Sequence, residues 1–315
     1  MNYLLQRLLS AIPVLLGITI IVFFIISLIP GDPATAILGS YATPENVKLL
    51  NEQLGLDKGL VQRYFIWLGN LVQGDLGRSF ALNRPVLDEI LERFNATLIL
   101  SGTAFILCSV VGVLIGTISA FKQYTITDKI ITFTVLTGIS LPSFFLGMMM
   151  ILLFAVNLQW LPVSGMYAIY GGGDFLDLIH HLIMPAIALA LVATGVVARI
   201  TRNSVLEILR QDYIRTARAK GLTEREVVIN HALQGGILPV VSFLGPAIAG
   251  LLAGSFVVET IFQIPGLGKF YVEAAFNRDY TMILGTTIFF SAMIIFFNLV
   301  SDILVLILNP RARDS

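Results

Sequence analysis

Charge is scarce in this 315-residue chain. Asp, Glu, Lys and Arg make up 13% of it, about half the ~25% of an average soluble chain. That scarcity excludes an ordinary water-soluble surface. Neither sign dominates, with 20 basic and 20 acidic residues, so the basic excess of a nucleic-acid binder is missing as well. Cys108 is the only cysteine, which excludes an intrachain disulfide and any C-x-x-C motif. Catalytic signatures are missing too. There is no G-x-x-x-x-G-K-[ST], because Gly266-Leu267-Gly268-Lys269-Phe270 is too short and lacks the hydroxyl. Gly171-Gly172-Gly173 fails G-x-G-x-x-G at Leu176 and has no helix start after it. H-E-x-x-H and G-x-S-x-G do not occur. The chain is expected to be non-catalytic, with no cofactor of its own.

What is present is oil. Hydrophobic residues make up 56%, and apolar runs long enough to cross a bilayer of about 30 Å recur. Six spans are predicted: Leu8–Ile29, Thr97–Phe121, Ile130–Phe154, Leu182–Ile200, Ile237–Val258 and Met282–Leu308. Arg7 before the first span and Ala34-Thr35-Ala36 after it imitate a signal peptide. A run of about 22 apolar residues exceeds a signal core of 7–15, so an uncleaved anchor is expected. The fold class is an all-α membrane protein with six transmembrane helices. Its expected organisation is an anchor helix plus outer segment over 1–96, a five-helix core over 97–308 with a loop at 201–236, and a tail at 309–315.

Orientation follows the Lys and Arg of the short loops. Lys122 and Lys129 follow span two. Arg202, Arg210, Arg215, Arg218, Lys220 and Arg225 follow span four, and Arg311 and Arg313 lie in the tail. Loop 155–181 has no Lys or Arg. Both termini and loop 201–236 are therefore expected in the cytoplasm. Segment 30–96, with six basic and eight acidic residues, crosses as a long loop largely regardless of its charge. It is expected to be partly helical: Thr43 reads as an N-cap ahead of Pro44 and Glu45. Leu60, Tyr64, Trp67, Leu68 and Leu71 share one face, suited to the membrane surface or to packing on the spans. Trp67 and Trp160 fit interfacial anchors.

Residues 212–233, DYIRTARAKGLTEREVVINHAL, break the pattern. Arg215, Arg218, Lys220, Arg225 and His231 alternate with Asp212, Glu224 and Glu226. Leu206, Leu209, Tyr213 and Ala217 recur at helical spacing and predict an amphipathic helix entering from span four. Thr216, Ala217 and Ala219 are small enough for another backbone to approach. Gly221 permits a helix end or sharp turn, and a second helix is expected over 224–233. The pattern fits a plug for a partner's cleft, or equally a solvated hairpin. Elsewhere, His180 and His181 would need further metal ligands, with only Asp174 and Asp177 near in sequence; two interfacial histidines are the simpler reading. Asp302 lies about six residues, roughly 9 Å, from the end of span six. Glu259 ends span five and is expected to reach the outer interface. The stretch 259–280 looks structured, with a turn at Pro265-Gly266 and a helix near 271–276.

RTARAKG at 215–221, followed by HAL at 231–233, resembles the cytoplasmic signature of ABC-importer permeases. There an E-A-A-x-x-x-G segment forms a coupling helix that docks into an ATPase subunit. Arg215 replaces the Glu, Thr216 and Ala217 occupy the Ala positions, and Gly221 is the Gly. PGDP at 30–33, LGLDKGLVQRYFIWLGNLVQGDLGRSF at 54–80, ARITRNSVLEILRQDYIRTARAKGL at 198–222, ETIFQIPGLGKFYVEAAFNRDY at 259–280 and NPR at 309–311 resemble the B-type permease of oligopeptide/dipeptide/nickel importers. LGPAIAGLLAGS at 244–255 and NRDY at 277–280 are most similar to the oligopeptide members.

The resemblance implies a type I importer permease that takes up peptides across the bacterial inner membrane by alternating access. It implies a homologous C-type permease, two cytoplasmic ATPases that bind ATP and Mg, and an extracytoplasmic substrate-binding protein. ATPase coupling would fall to Asp212, Tyr213, Arg215, Thr216, Ala217, Arg218, Ala219, Lys220 and Gly221. Contact with the binding protein or the pathway would fall to Glu259, Pro265, Gly266, Lys269, Arg278 and Asp279. Nickel, metal-chelate or glutathione permeases are the alternatives within the family. A secondary carrier or channel would show mid-span acids or paired broken helices, and the sequence suggests neither. A non-transporting scaffold or receptor would not need the signature.

Overall fold

A computed structural model describes residues 2–28, 33–38, 41–53, 55, 57–168 and 170–308. Residues 30–32 of PGDP, NPR at 309–311 and the tail 309–315 lie outside the described residues, as do Ile29, Leu54 and Leu56. Helices dominate, and the one β-type contact among the described residues is an isolated bridge from Arg78 to Pro85. Contacts group the chain into two compact units, 1–96 with 266–295, and 97–265 with 296–315. The sequence placed 266–295 within the five-helix core instead.

The first unit begins with α1 (Asn2–Ser27), followed by α2 (Pro33–Leu38), α3 (Pro44–Gln53) and α4 (Leu60–Val72). The hydroxyls within α1 do not stay unpaired in oil: Thr19 donates to the Leu16 carbonyl and Ser27 to that of Phe23. The Thr43 cap is present, accepting from the Asn46 amide at 3.3 Å. Helix α4 uses its apolar face against α1. Tyr64 is buried on Phe23, with Leu60, Trp67 and Leu68 beside it, and its hydroxyl lies 2.9 Å from Thr19 Oγ1. Trp67 lies against Phe23, with ring centroids 5.4 Å apart.

Helix α5 (Val86–Phe121) carries the second span, α6 (Ile126–Ser140) and α7 (Ser143–Met150) the third, with a π-helical turn at Ile151–Asn157. The third span was expected to be continuous, but its halves meet at 103°. The cause is local. Leu141 precedes Pro142, whose ring disfavours the helical region for its neighbour, and Leu141 is extended at φ −87, ψ 127. One broken span therefore exists among the described residues, without the partner break that a two-half carrier requires.

Helix α8 (Phe175–Leu209) carries the fourth span, capped by Asp174, which accepts from the Asp177 amide at 2.7 Å. Gly173 and Ala168 are tied down despite the neighbouring glycines, because Asp177 Oδ2 accepts from both their amides. His181 Nδ1 lies 3.0 Å from Asp177 Oδ1, and His180 Nε2 lies 3.0 Å from the Trp160 carbonyl. Beyond α8 come α9 (Asp212–Ala219), α10 (Glu224–Glu226), a π-helical turn at Val227–Leu233 and α11 (Gln234–Gly236). Then follow α12 (Leu238–Ile261), α13 (Leu267–Phe276) and α14 (Tyr280–Leu308), on which Asp302 is half-buried.

Among the described residues, five helices are long and apolar enough to cross a bilayer, six if the bent pair α6–α7 counts as one span. Helices α5 and α8 run roughly 54 and 52 Å at 1.5 Å per residue, so both outrun a hydrocarbon core of about 30 Å. The apolar stretch Thr97–Phe121 is the C-terminal part of α5, and Leu182–Ile200 is the middle of α8. Exposed Phe121, Ile130 and Phe133 fit a surface meeting lipid or another apolar helix.

Candidate functional site in residues 212–233

The charged stretch folds as a hairpin with a small core of its own. Ile214 and Val227 are fully buried, Ala217 is 7% exposed, and Ile208 and Leu209 pack on them. The first arm is not a continuation of α8, as the spacing of Leu206, Leu209, Tyr213 and Ala217 suggested. Helix α8 stops at Leu209, and Gln211 turns extended at φ −74, ψ 151 before α9 begins. The break lets Ile214 and Ala217 face inward over Leu209.

Gly221 makes the turn at φ +86. Its amide donates to the Arg218 carbonyl at 2.9 Å, the glycine-type helix end expected from the sequence. The second arm starts with a reciprocal cap. Thr223 Oγ1 accepts from the Glu226 amide at 3.4 Å, and Glu226 Oε2 accepts from the Thr223 amide at 2.8 Å and its hydroxyl at 2.7 Å. Those bonds hold the Glu226 carboxyl below the usual glutamate range, the hydroxyl contributing most. Thr-x-x-Glu was visible in the sequence and went unread.

Across the turn, Arg218 donates from Nε to Glu224 Oε1 at 2.7 Å and from Nη2 to Oε2 at 3.2 Å. The pair raises the Arg218 guanidinium above its ordinary value. Arg218 is therefore the hairpin's clasp, not a plain solvated charge. Asp212 opens α9 and accepts from Arg215 at 3.3 Å. Arg215, Thr216, Ala219 and Lys220 face outward, and Tyr213 is half-exposed. Of the small residues expected on the docking face, Ala217 belongs to the hairpin core; Thr216 and Ala219 remain available. Behind the hairpin, Val228 and Ala232 pack on Val205 of α8 and Ala120 of α5.

The other candidate residues are placed differently from one another. Glu259 was expected at the outer interface. It is fully buried near the end of α12, where Thr97 Oγ1 donates to its Oε1 at 2.7 Å. Its length from the helix axis turns inward, towards a hydroxyl on α5, so it offers no surface in this arrangement. Asp279 is also enclosed, at 3% exposure. It accepts from Ser79 Oγ at 2.5 Å, the Ala81 amide at 3.2 Å and the Met282 amide at 3.1 Å. It caps α14 and ties down loop 77–85, a job that needs distant partners and left no sequence signal. Pro265 and Arg278 are exposed, Gly266 is buried, and Lys269 lies 3.7 Å from Glu273.

Residues 112–314 match the family of binding-protein-dependent transport system inner membrane components, and 1–101 match its N-terminal counterpart. The chain is 40% identical over 310 residues to the oligopeptide transport system permease protein AppB of Bacillus subtilis, covering 98% of both chains. It is 40% identical over 335 residues to the dipeptide transport system permease protein DppB of Escherichia coli K12, covering 99% of both. It is also 40% identical over 313 residues to the glutathione transport system permease protein GsiC of an E. coli O6:H1 strain, covering 99% of both. In fold it is similar to a chain of the MetNI methionine ABC transporter in an inward-facing conformation, with a TM-score of 0.57 at 17% identity, covering 71% of this chain and 97% of that one. With family matches over 1–101 and 112–314 and relatives aligned over nearly the whole length, this chain belongs to the binding-protein-dependent transport system inner membrane components.

Proposed function

We propose that this chain is one of two membrane subunits of an ATP-driven peptide importer, with hairpin 212–233 as its docking plug for an ATPase subunit. The observation that carries this reading is the hairpin itself. It closes on its own core, so it keeps its shape while presenting Arg215, Thr216, Ala219 and Lys220 outward. A preformed plug gives up little conformational entropy on docking. Peptide substrates are supported by relatives named for oligopeptide and dipeptide transport.

In this reading a homologous C-type subunit supplies the other half of the pathway, and a binding protein delivers substrate from outside. Two ATPases bind ATP and Mg. Their closure displaces the hairpin, and the spans alternate access. Both termini and the hairpin lie in the cytoplasm, in keeping with the Lys and Arg distribution. Pro265, Lys269 and Arg278 belong to the face offered to the binding protein. Glutathione is a second reading, favoured by the relative named for it; it is itself a small peptide.

The test is ATP-dependent uptake of labelled di-, tri- and pentapeptides, glutathione and nickel by proteoliposomes holding the four-subunit complex. Uptake without ATPase subunits would instead identify a self-sufficient carrier. Orientation is tested by cysteine labelling in a Cys108→Ser background. Tyr170→Cys, at a position 92% exposed, should react with an impermeant thiol reagent on intact cells, and Arg225→Cys should not.

A further inference from the structure

Away from the hairpin's outer face, three side chains from three helices meet. Arg202 of α8 grips Asp128 of α6 with two prongs, Nε to Oδ1 at 3.0 Å and Nη2 to Oδ2 at 2.9 Å. Ser119 of α5 donates to Asp128 Oδ1 at 2.5 Å and accepts from Arg202 Nε at 3.1 Å. The Tyr124 amide, in the turn between α5 and α6, donates to Oδ2 at 3.0 Å. Asp128 is 4% exposed.

The network borders a cavity of about 170 Å³ between α5, α6 and α8, lined by Ser119, Ile131, Val135 and Arg202 among others, but α5 and α8 themselves meet closely. A Cβ on Gly116 of α5 would lie 2.4 Å from the Ala198 carbonyl oxygen of α8, so these two backbones are in direct contact. The hairpin rests on the same two helices through Val228, Ala232, Val205 and Ala120, and Gly236 lies against the backbone of Ser204 and Val205. Helix α6 is held at two places. Its later turns pack on α8, where a Cβ on Gly195 would lie 2.6 Å from Ile139 and one on Gly138 3.3 Å from Leu191, while on its leading turns the buried side chain is that of Asp128.

That choice has a physical consequence. A buried ion pair is weak evidence for stability, because desolvation offsets much of the attraction. Its distinguishing property is geometry: a two-pronged pair fixes rotation and register, where apolar side chains slide. Helix α6 is also the half of the broken span that precedes the bend at Leu141-Pro142.

We propose that Ser119, Asp128 and Arg202 form a positioning latch that passes displacement of hairpin 212–233 to α6, the leading half of the broken span. This rests on the importer reading above. The latch takes no part in docking the ATPase; it converts docking into movement of a span.

The test uses the full complex, purified through a tag on the ATPase so that only docked chains are measured. Three variants are compared with wild type: Asp128→Asn, Arg202→Lys, and the neutral pair Asp128→Asn with Arg202→Gln, which leaves no unpaired buried charge if a single variant does not fold. For the neutral pair, basal ATP hydrolysis is expected within about twofold of wild type. Stimulation by peptide-loaded binding protein should be lost, and peptide uptake per docked complex should fall at least tenfold. Arg202→Lys, with its charge but a single prong, should fall between. Uptake by the neutral pair within about twofold of wild type would overturn the latch. So would failure to recover any docked complex with the neutral pair, which would assign the network to folding. A wild-type complex without ATP-dependent uptake would refute the importer reading, and with it the latch, and is told apart from failure of the latch alone by the wild-type control.

Discussion

Gly221→Val is expected to loosen the hairpin without disturbing any span. The residue turns the chain at φ +86, a region where a β-branched side chain is a genuine outlier. A Cβ added there meets nothing within 4 Å, so bulk contributes no clash within the chain and backbone strain alone acts. That strain is of order 1–3 kcal/mol, which shifts the closed hairpin against its opened forms by roughly 5- to 150-fold at 1.4 kcal/mol per decade. The bonds from Gly221 N to Arg218 O and from Leu222 N to Ala217 O close the turn, so both should weaken. Amide hydrogen exchange of residues 214–219 in the purified complex reads the loss directly. ATPase copurification reads its consequence, with chain abundance in the membrane unchanged. Asn adopts the left-handed region with little penalty, so Gly221→Asn should keep both signals, and Gly221→Ala should lie between. Equal protection in Val, Ala and Asn variants would refute the strain argument. Loss in Asn as complete as in Val would refute it too, by showing that the position demands absence of a side chain rather than a permitted φ.

Removing the clasp, Arg218→Ala, should cost about 0.5 kcal/mol, since both partners are substantially exposed; the deficit in ATPase copurification should shrink as salt rises in both proteins. Asp279→Ala leaves the buried donors of Ser79 and Met282, and the part-buried amide of Ala81, without their acceptor. It should destabilise the first unit by about 1–3 kcal/mol, read as a lower melting temperature of the detergent-solubilised chain, while Asp279→Asn recovers part of it. The Glu226 cap carries a pH sign. Its folded value is depressed by the Thr223 bonds, so its stabilisation is complete above the ordinary glutamate value of about 4.3 and is lost as pH falls through the depressed one. Exchange protection at Val227 and Val228 should be flat between pH 6 and 8 and fall only in acid, and Glu226→Ala should abolish that acid dependence.

Local rules carried far in this chain. Span-length apolar runs require helices, because lipid offers backbone groups no other partners, and all six spans were legible. The cap at Thr43, the turn at Gly221 and the two-armed charged hairpin were legible too, since each depends on neighbours within a few residues. Two further features were written locally and not read: the Thr223–Glu226 cap, and Leu141-Pro142 as the break in the third span.

Which way side chains face was a different matter. Ala217 reads as a small residue for a partner's backbone, yet Ile214 and Val227 enclose it. Glu259 reads as an interfacial acid, yet Thr97 meets it inside. Asp279 is assigned by resemblance to binding-protein or pathway contact, and nothing local marks its partner, yet Ser79, 200 positions away, bonds to it. Asp128 and Arg202 are unremarkable loop-edge charges until α5, α6 and α8 pack and bring them within 3 Å. Sequence determines where the chain must be helical, because lipid and caps act over a few residues. Only the tertiary structure decides which charges are buried together, because the partner that makes burial tolerable is supplied by a distant helix.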